Sequence, residues 1–214
     1  MGLSIAMKIN FPLLALAVGA FAIGTTEFSP MGFLPEIAND LSVSIPQAGL
    51  LISAYAVGVM IGAPLMTLWL ARFPKKTALI LLMAIFTIGN VLATVAPDYM
   101  SLMGARLITS LNHGAFFGLG SVVAASVVPK DKQASAVAMM FMGLTIANIG
   151  GVPLATWLSQ NTSWRMAFAA ISILGIMTML ALWKALPQDH DVVKPNVAKE
   201  LRVLTRAPVV LALL

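Results

Sequence analysis

Long apolar runs alternate with short polar connectors along the first 186 residues of the chain. Each run holds about 20 or more residues, the length that an α-helix needs to cross the hydrocarbon core of a bilayer. Proline, glycine and charged residues divide the runs. The pattern predicts six membrane-spanning helices, at 11–34, 48–70, 77–96, 99–128, 134–158 and 164–186. The predicted fold is therefore an all-α membrane bundle over residues 1–187.

The remaining residues differ in character from this bundle. Residues 188–207 mix acidic, basic and polar side chains, and Val197, Leu201 and Leu204 have the spacing of an amphipathic helix. This segment is typical of a cytoplasmic linker that lies on the membrane. A further apolar run starts near Pro208 and stops at Leu214. A half-spanning helix would leave backbone polar groups unsatisfied in lipid, so we expect 208–214 to be the truncated start of a seventh helix.

Composition supports a bilayer environment and excludes several kinds of site. Hydrophobic residues make up 59% of the chain and charged residues 10%, whereas soluble domains carry about 25% charged residues. Cysteine is absent, which excludes disulfides and Cys-ligated metals. We expect no cofactor and no metal. The net charge of +5 comes from residues in short loops, so it does not indicate a nucleic-acid partner.

The basic residues also predict the orientation of the helices. With a cytoplasmic N-terminus, eleven of the thirteen fall on the inner side and only Arg165 on the outer side, while Arg106 lies inside a helix. The inner residues are Lys8, Arg72, Lys75, Lys76, Lys130, Lys132, Lys184, Lys194, Lys199, Arg202 and Arg206. The positive-inside rule therefore predicts a multi-pass protein with its N-terminus in the cytoplasm.

Three Asp, Glu, Lys, Arg or His residues lie away from the ends of the predicted helices, at membrane depth: Glu27, Arg106 and His113. A charge at the bilayer centre costs about 2.5–3.5 kcal/mol even on lenient scales, so each is a candidate functional residue. Glu27 lies about 10 Å below the outer surface, and Arg106 lies at a similar depth. We expect them to form an ion pair, directly or through water. Alternatively, Glu27 faces an aqueous cavity and Arg106 bonds to backbone carbonyls.

His113 follows Arg106 by seven residues, which places both on one face of the fourth helix about 10.5 Å apart. Asn112 precedes the histidine, and Gly114 and Gly118 follow it. Small residues permit close helix approach. This face favours a cavity that handles protons or substrate, although His113 could also be an ordinary hydrogen-bonded residue.

The fifth helix carries Asn148 ahead of Gly150-Gly151-Val152-Pro153. Pro153 removes one backbone hydrogen bond and can bend the helix, so this is either a flex point or a close-packed contact. Gly62-Ala63-Pro64 in the second helix repeats the same pattern. Such a repeat is expected if the bundle consists of two three-helix units of inverted topology, although chance could also produce it.

Together, these motifs resemble the drug:proton antiporter group of the major facilitator superfamily, in its arabinose-efflux-permease-like branch. The matching segments are 24–32, 53–58, 112–118 and Ser163-Trp164-Arg165 with Phe168. The resemblance implies a twelve-helix protein of the bacterial inner membrane, of which this chain is the N-terminal half. Its partners would be a small-molecule substrate, a proton, the bilayer and the missing C-terminal six-helix half. Helices one and four would line the cavity.

Several residues match the motifs of that family. Arg106 resembles the fourth-helix arginine implicated in proton coupling, and Gly151 to Pro153 resemble the fifth-helix antiporter motif. The loop that contains Arg72, Lys75 and Lys76 resembles the basic motif between helices two and three. The departures are Ser110 and Ala155, which replace glycines, and Ala71, which stands where an aspartate is usual.

These observations predict proton-coupled efflux of small organic solutes or drugs by alternating access. Glu27 would be the protonation site, and Arg106 would keep it ionised until a proton or substrate arrives. Sugar efflux is the alternative. The chain has neither His-Glu-x-x-His nor Gly-x-Ser-x-Gly, and Ser121 is too far along the helix from His113 to form a dyad, so we expect no enzyme. A channel would more naturally show a ring of charges or a repeated filter.

Overall fold

A computed structural model describes residues 10–187 as helices joined by short connectors. Six of the helices are long and apolar enough to cross a membrane, which confirms the predicted fold class. The first to sixth spans are Phe11–Gly32, Ile45–Leu70, Lys75–Thr94, Tyr99–Ser126, Lys130–Asn161 and Trp164–Ala185. The predicted linker at 188–207 and seventh helix at 208–214 lie outside the described residues.

Several boundaries differ by two to four residues from the expected ranges, and local structure explains two of them. The second span begins at Ile45 instead of residue 48, since the Ser44 side chain accepts a hydrogen bond from the Gln47 backbone and caps the helix. The first span ends at Gly32, and the predicted connector 35–47 contains a short helix, Leu34–Asp40. Pro35 stands in its first turn, where a missing backbone N–H costs least.

The fourth and fifth spans are interrupted, where continuous helices were predicted. The fourth consists of Tyr99–Ser110 and His113–Ser126. At the break, the Leu111 and Asn112 backbone N–H groups bond three residues back instead of four, at 3.3 and 3.5 Å, which tightens the turn. The fifth span contains a π-helical segment, Ala147–Gly151, just before Pro153. This segment coincides with the suggested flex point, although flexing itself stays a prediction.

The spans pack in a pattern that repeats within the bundle. The first span packs against the fifth and sixth, the fourth against the second and third, and the third against the sixth. If the first span is exchanged with the fourth, the second with the fifth and the third with the sixth, the same set of span pairs results. Gly62 of the second span lies against Leu111 of the fourth, and Gly151 of the fifth lies against Thr25 of the first. The packing thus supports two inverted three-helix units.

Glycines permit backbone contact at these crossings. A Cβ on Gly143 of the fifth span would overlap the Ala17 carbonyl oxygen of the first span. A Cβ on Gly58 of the second span would overlap Ser110 Oγ of the fourth. Helices in lipid associate largely through such close packing. Ser110 is accommodated because its neighbour is Gly58.

A polar cluster joins the connectors at the predicted outer surface. Arg165 donates hydrogen bonds to the Asp40 carboxylate and to the Ala96 carbonyl, the latter at 2.9 Å. Trp164 Nε1 also donates to Asp40 Oδ2, at 3.0 Å, and the Arg165 guanidinium lies 4.1 Å from the centre of the Trp164 ring. The cluster links the short helix to the third and sixth spans, and hydrogen bonding to Arg165 holds the pKa of Asp40 below its usual value.

Substitution of Gly143 by alanine should destabilise the bundle. The new methyl group would collide with the Ala17 backbone, which cannot yield as a flexible side chain can. We expect a loss of about 1–3 kcal/mol, measured as a lower thermal unfolding midpoint of the full-length protein in detergent. Gly118→Ala is the matched control, since the position that its Cβ would take has no atom of residues 10–187 within 4 Å. Equal midpoints for the two variants would contradict the close crossing.

Loss of the Asp40 carboxylate should weaken the outer cluster by about 0.2–1 kcal/mol, because the pair is partly exposed. The pKa of Asp40 is lower in the folded than in the unfolded protein, so the stabilisation is present above the unfolded-state value of about 3.9. It disappears as pH falls through the lower folded pKa. The thermal midpoints of wild type and Asp40→Asn should therefore differ at pH 7 and converge in acid. A gap that stays constant down to pH 2 would refute this account.

Candidate functional site

Arg106 lies at the centre of the bundle with 1% of its surface exposed. Its Nη1 donates hydrogen bonds to the Thr26 carbonyl at 2.9 Å and to Thr26 Oγ1 at 3.3 Å. The Thr26 hydroxyl in turn donates to Asn90 Oδ1 at 2.7 Å, and Asn90 Nδ2 donates to the Phe86 carbonyl at 2.9 Å. A buried chain of hydrogen bonds therefore connects the fourth, first and third spans.

Two aromatic rings surround the same guanidinium. Its Cζ lies 4.3 Å from the centre of the Tyr55 ring on the second span and 5.8 Å from the Phe168 ring on the sixth. Cations within about 6 Å of an aromatic ring are attracted to it. Arg106 Nε and Nη2 are buried without a hydrogen-bond partner among the described residues, so the guanidinium retains donors for an additional acceptor.

Glu27 and His113 meet beside this centre. Glu27 Oε2 lies 3.8 Å from His113 Nε2, and the two side chains are 27% and 14% exposed. The Tyr55 hydroxyl lies 3.2 Å from His113 Nδ1, to which it donates when the imidazole proton is on Nε2 and faces Glu27. Glu27, His113, Tyr55 and Arg106 therefore form one connected site, and its acid is partly exposed at the surface of the described residues.

The predicted direct ion pair between Glu27 and Arg106 is not formed within residues 10–187. The Thr26 backbone and hydroxyl take up the near side of the guanidinium. Glu27 is the next residue, about 100° further around the helix, and its carboxylate reaches His113 instead. The two charges still interact electrostatically. A pair through water stays a prediction.

The other predicted residues have separate surroundings. Asn112 is fully buried, and its side-chain oxygen and nitrogen have no hydrogen-bond partner in the described part of the chain. Asn148 is exposed and donates to the Leu144 carbonyl at 3.0 Å. Gly151 packs on Thr25, and Pro153 is exposed. Residues 10–187 contain no cluster of three or more His, Cys, Asp or Glu side chains that could hold a metal.

The basic loop between the second and third spans lies at the predicted inner surface. Arg72 is 5.3 Å from the Trp69 ring and 5.5 Å from the Phe73 ring. Lys76 Nζ donates to the Leu186 carbonyl at 2.7 Å, at the end of the sixth span. Lys75 and Lys76 line a cavity of about 140 Å³ between the inner ends of the third, fourth and sixth spans. Lys76 thus links the inner end of the third span to that of the sixth.

Tyr55, Thr26 and Asn90 contribute to the site although none was a predicted site residue. Thr26 directly precedes Glu27, and Asn90 is the one amide side chain in the third span. A buried amide in a lipid-spanning helix indicates a hydrogen-bond partner on another helix. That signal was present in the sequence. The position of Tyr55 under Arg106 depends on helix packing.

The family model described as Major Facilitator Superfamily matches residues 16–214. The chain belongs to the major facilitator superfamily. It is 68% identical over 208 residues to the inner membrane transport protein YdhP of Escherichia coli K12, a match that covers 97% of this chain and 54% of YdhP. It is 31% identical to a protein of Pasteurella multocida named probable sugar efflux transporter, covering 82% of this chain and 43% of that protein.

The family is one of membrane-embedded transporters, and the chain is an inner-membrane protein with six apolar helices. It spans about half the length of the curated relatives it matches. Its fold is that of the xylose transporter XylE of E. coli in a partially occluded inward-open conformation. That likeness has a TM-score of 0.68 at 18% identity and covers 83% of this chain and 48% of XylE.

Replacement of Thr26 by valine should destabilise the buried hydrogen-bond chain. Valine has a similar shape but leaves Asn90 Oδ1 without its donor and Arg106 without one acceptor. We expect a loss of about 1–3 kcal/mol, measured as a lower thermal midpoint of the full-length protein. Thr67→Val is the control, because within residues 10–187 its exposed hydroxyl bonds to the Ala63 carbonyl of its own helix and to no other span. A Thr26 variant as stable as this control would contradict the assigned role.

Proposed function

We propose that the protein of which this chain forms the N-terminal half is a proton-coupled exporter of small organic solutes. It would work by alternating access, with Glu27 as the protonation site. The observation that supports this best is the contact of Glu27 with His113. An acid in a membrane-spanning helix is a functional candidate, and this one is partly exposed while two basic side chains lie nearby.

The geometry suggests a sequence of proton events. In the ionised state, the Glu27 carboxylate lies 3.8 Å from His113 Nε2 and is attracted by Arg106. A proton that binds Glu27 cancels its negative charge and weakens both interactions. His113 then remains oriented by Tyr55. Such a change alters the charge that the cavity presents to a solute, which is the differential interaction that a two-state transporter needs.

The free donors of Arg106 suggest a second position for the carboxylate. Nε and Nη2 carry hydrogens without acceptors among residues 10–187, and Glu27 adjoins the threonine that Nη1 contacts. A rotation of the Glu27 side chain would exchange His113 for Arg106 as its partner. The ionised acid would favour either the Arg106 guanidinium or the Nε2 side of His113, whereas the protonated acid would leave Arg106 with Thr26 as its hydrogen-bond partner. This exchange supplies the coupling that the family resemblance led us to expect.

Sugar efflux is the second candidate for the substrate, since a relative at 31% identity is named for it. Residues of the C-terminal half would also determine which substrate the cavity binds. Uptake of a panel of sugars and drug-like solutes into inverted vesicles that contain the full-length protein would separate the two candidates. Accumulation of sugars alone would favour the second.

Glu27→Gln should reduce proton-driven uptake into inverted vesicles to background, because an amide cannot take up the coupling proton. Solute exchange without a proton gradient should persist, since it needs no net proton movement. Asp131→Asn, which removes an exposed acid from the inner loop, should transport as the wild type does. Undiminished proton-driven uptake by Glu27→Gln would eliminate this residue as the protonation site.

A further inference from the structure

Aromatic rings continue from the Glu27 and His113 contact across to the fifth span. The Phe117 ring centre lies 5.2 Å from that of His113. The Phe141 ring stacks on Phe117, with centres 5.1 Å apart and planes inclined by 19°. Phe117 belongs to the fourth span and Phe141 to the fifth. The three rings form a continuous surface that begins at the proposed protonation site.

Phe141 is the accessible ring of this surface. It remains 39% exposed although it is stacked on Phe117, which is only 9% exposed. Phe117 also contacts Phe116 edge-on, with ring centres 6.1 Å apart, so its position is set from two sides. A ring supported in this way presents a fixed apolar face, and fixed apolar faces with a few polar groups nearby are typical of small-molecule sites.

The depths of these residues place the rings on the inner side of the acid. Phe141 lies eight residues after Gln133, about 12 Å along the fifth helix. Phe117 lies nine residues before Ser126, about 14 Å from the predicted inner end of the fourth span. Glu27 lies sixteen residues after Phe11, about 24 Å along the first. The separation of about 10 Å matches a drug-sized molecule with a polar group at one end.

We propose that Phe141, supported by Phe117, binds an aromatic ring of the transported solute while the polar end of the solute reaches Glu27 and His113. This assignment rests on the proposed function, because it takes the Glu27 site as the transport site. Aromatic rings prefer offset-stacked and edge-on contacts, and an exposed ring on a rigid partner provides both. A solute that enters from the predicted cytoplasmic side would meet Phe141 before it meets the acid.

The polar groups beside the rings favour this class over a sugar. A sugar presents several hydroxyls, each of which needs a partner once it leaves water. Arg106 is buried, and the Tyr55 hydroxyl already bonds to His113. Of the four side chains that form the connected site, Glu27 and His113 are the partly exposed ones. They suit one polar or cationic group attached to an apolar body.

The test measures transport by the full-length protein in inverted vesicles with three probes. Ethidium is a planar aromatic cation, chloramphenicol a neutral nitroaromatic and L-arabinose a sugar without a ring of π electrons. Phe141→Leu should lower kcat/KM for both aromatic probes about tenfold, mainly through a higher KM, because it removes a stacking contact made before transport. Transport of L-arabinose, where it occurs, should be unchanged.

Two matched variants complete the experiment. Phe141→Tyr retains the ring and should transport the aromatic probes within about twofold of wild type. Phe11→Leu makes the same change as Phe141→Leu on a ring that is 63% exposed at the start of the first span, and it should have no effect. Thermal midpoints of all three variants show whether each is folded.

The proposal is overturned if Phe141→Leu and wild type transport the aromatic probes equally, if it affects L-arabinose to the same extent, or if neither aromatic probe is transported by wild type. Glu27→Gln separates this proposal from the preceding one. If Glu27→Gln abolishes proton-driven uptake and Phe141→Leu transports the aromatic probes as wild type does, the role of Phe141 is rejected and that of Glu27 is kept. If Glu27→Gln retains proton-driven uptake and Phe141→Leu impairs transport of the aromatic probes alone, Glu27 is rejected as the protonation site and the role of Phe141 is kept.

Discussion

The buried guanidinium of Arg106 is the interaction on which the rest of the bundle depends. It is bonded to Thr26 of the first span, whose hydroxyl donates to Asn90 of the third, and it contacts aromatic rings of the second and sixth. A cation in the apolar centre of a membrane protein is costly. Here carbonyl, hydroxyl and aromatic groups compensate it, and no carboxylate of residues 10–187 is in direct contact. Five of the six spans therefore share one charged group as their common point.

The functional site inherits its geometry from this centre. Tyr55 contacts Arg106 with its ring and His113 with its hydroxyl, so the arginine fixes the group that orients the imidazole. Thr26, which bonds to Arg106, is the neighbour of Glu27 in the chain. The acid and the histidine are thus held by a second layer of contacts, and such support keeps reactive groups within the narrow geometry that function requires. Changes at Arg106 should consequently affect both stability and proton chemistry.

Hydropathy predicted the six spans, because the thickness of the hydrocarbon core sets the length of an apolar helix that crosses it. The shared face of Arg106 and His113 also followed from helical spacing, and both residues contact Tyr55. The partner of Glu27 did not follow. Depth along a helix can be counted from the sequence, but the direction of a side chain around its helix depends on how the helices are rotated against each other. The same limitation applies to the fourth-span break and to the stacked Phe117 and Phe141 rings, which require two helices to be placed in space.

The crossing of the second and fourth spans has a consequence for how family motifs are compared. Ser110 departs from the glycine of the fourth-helix motif that the sequence resembles, and its hydroxyl occupies the gap that Gly58 leaves on the opposite helix. The crossing therefore limits the combined volume of the two facing side chains, and the smaller side chain can stand on either helix. A motif scored one column at a time would count Ser110 as a defect. Considered together, positions 58 and 110 describe a close crossing in which Gly58 supplies the small residue.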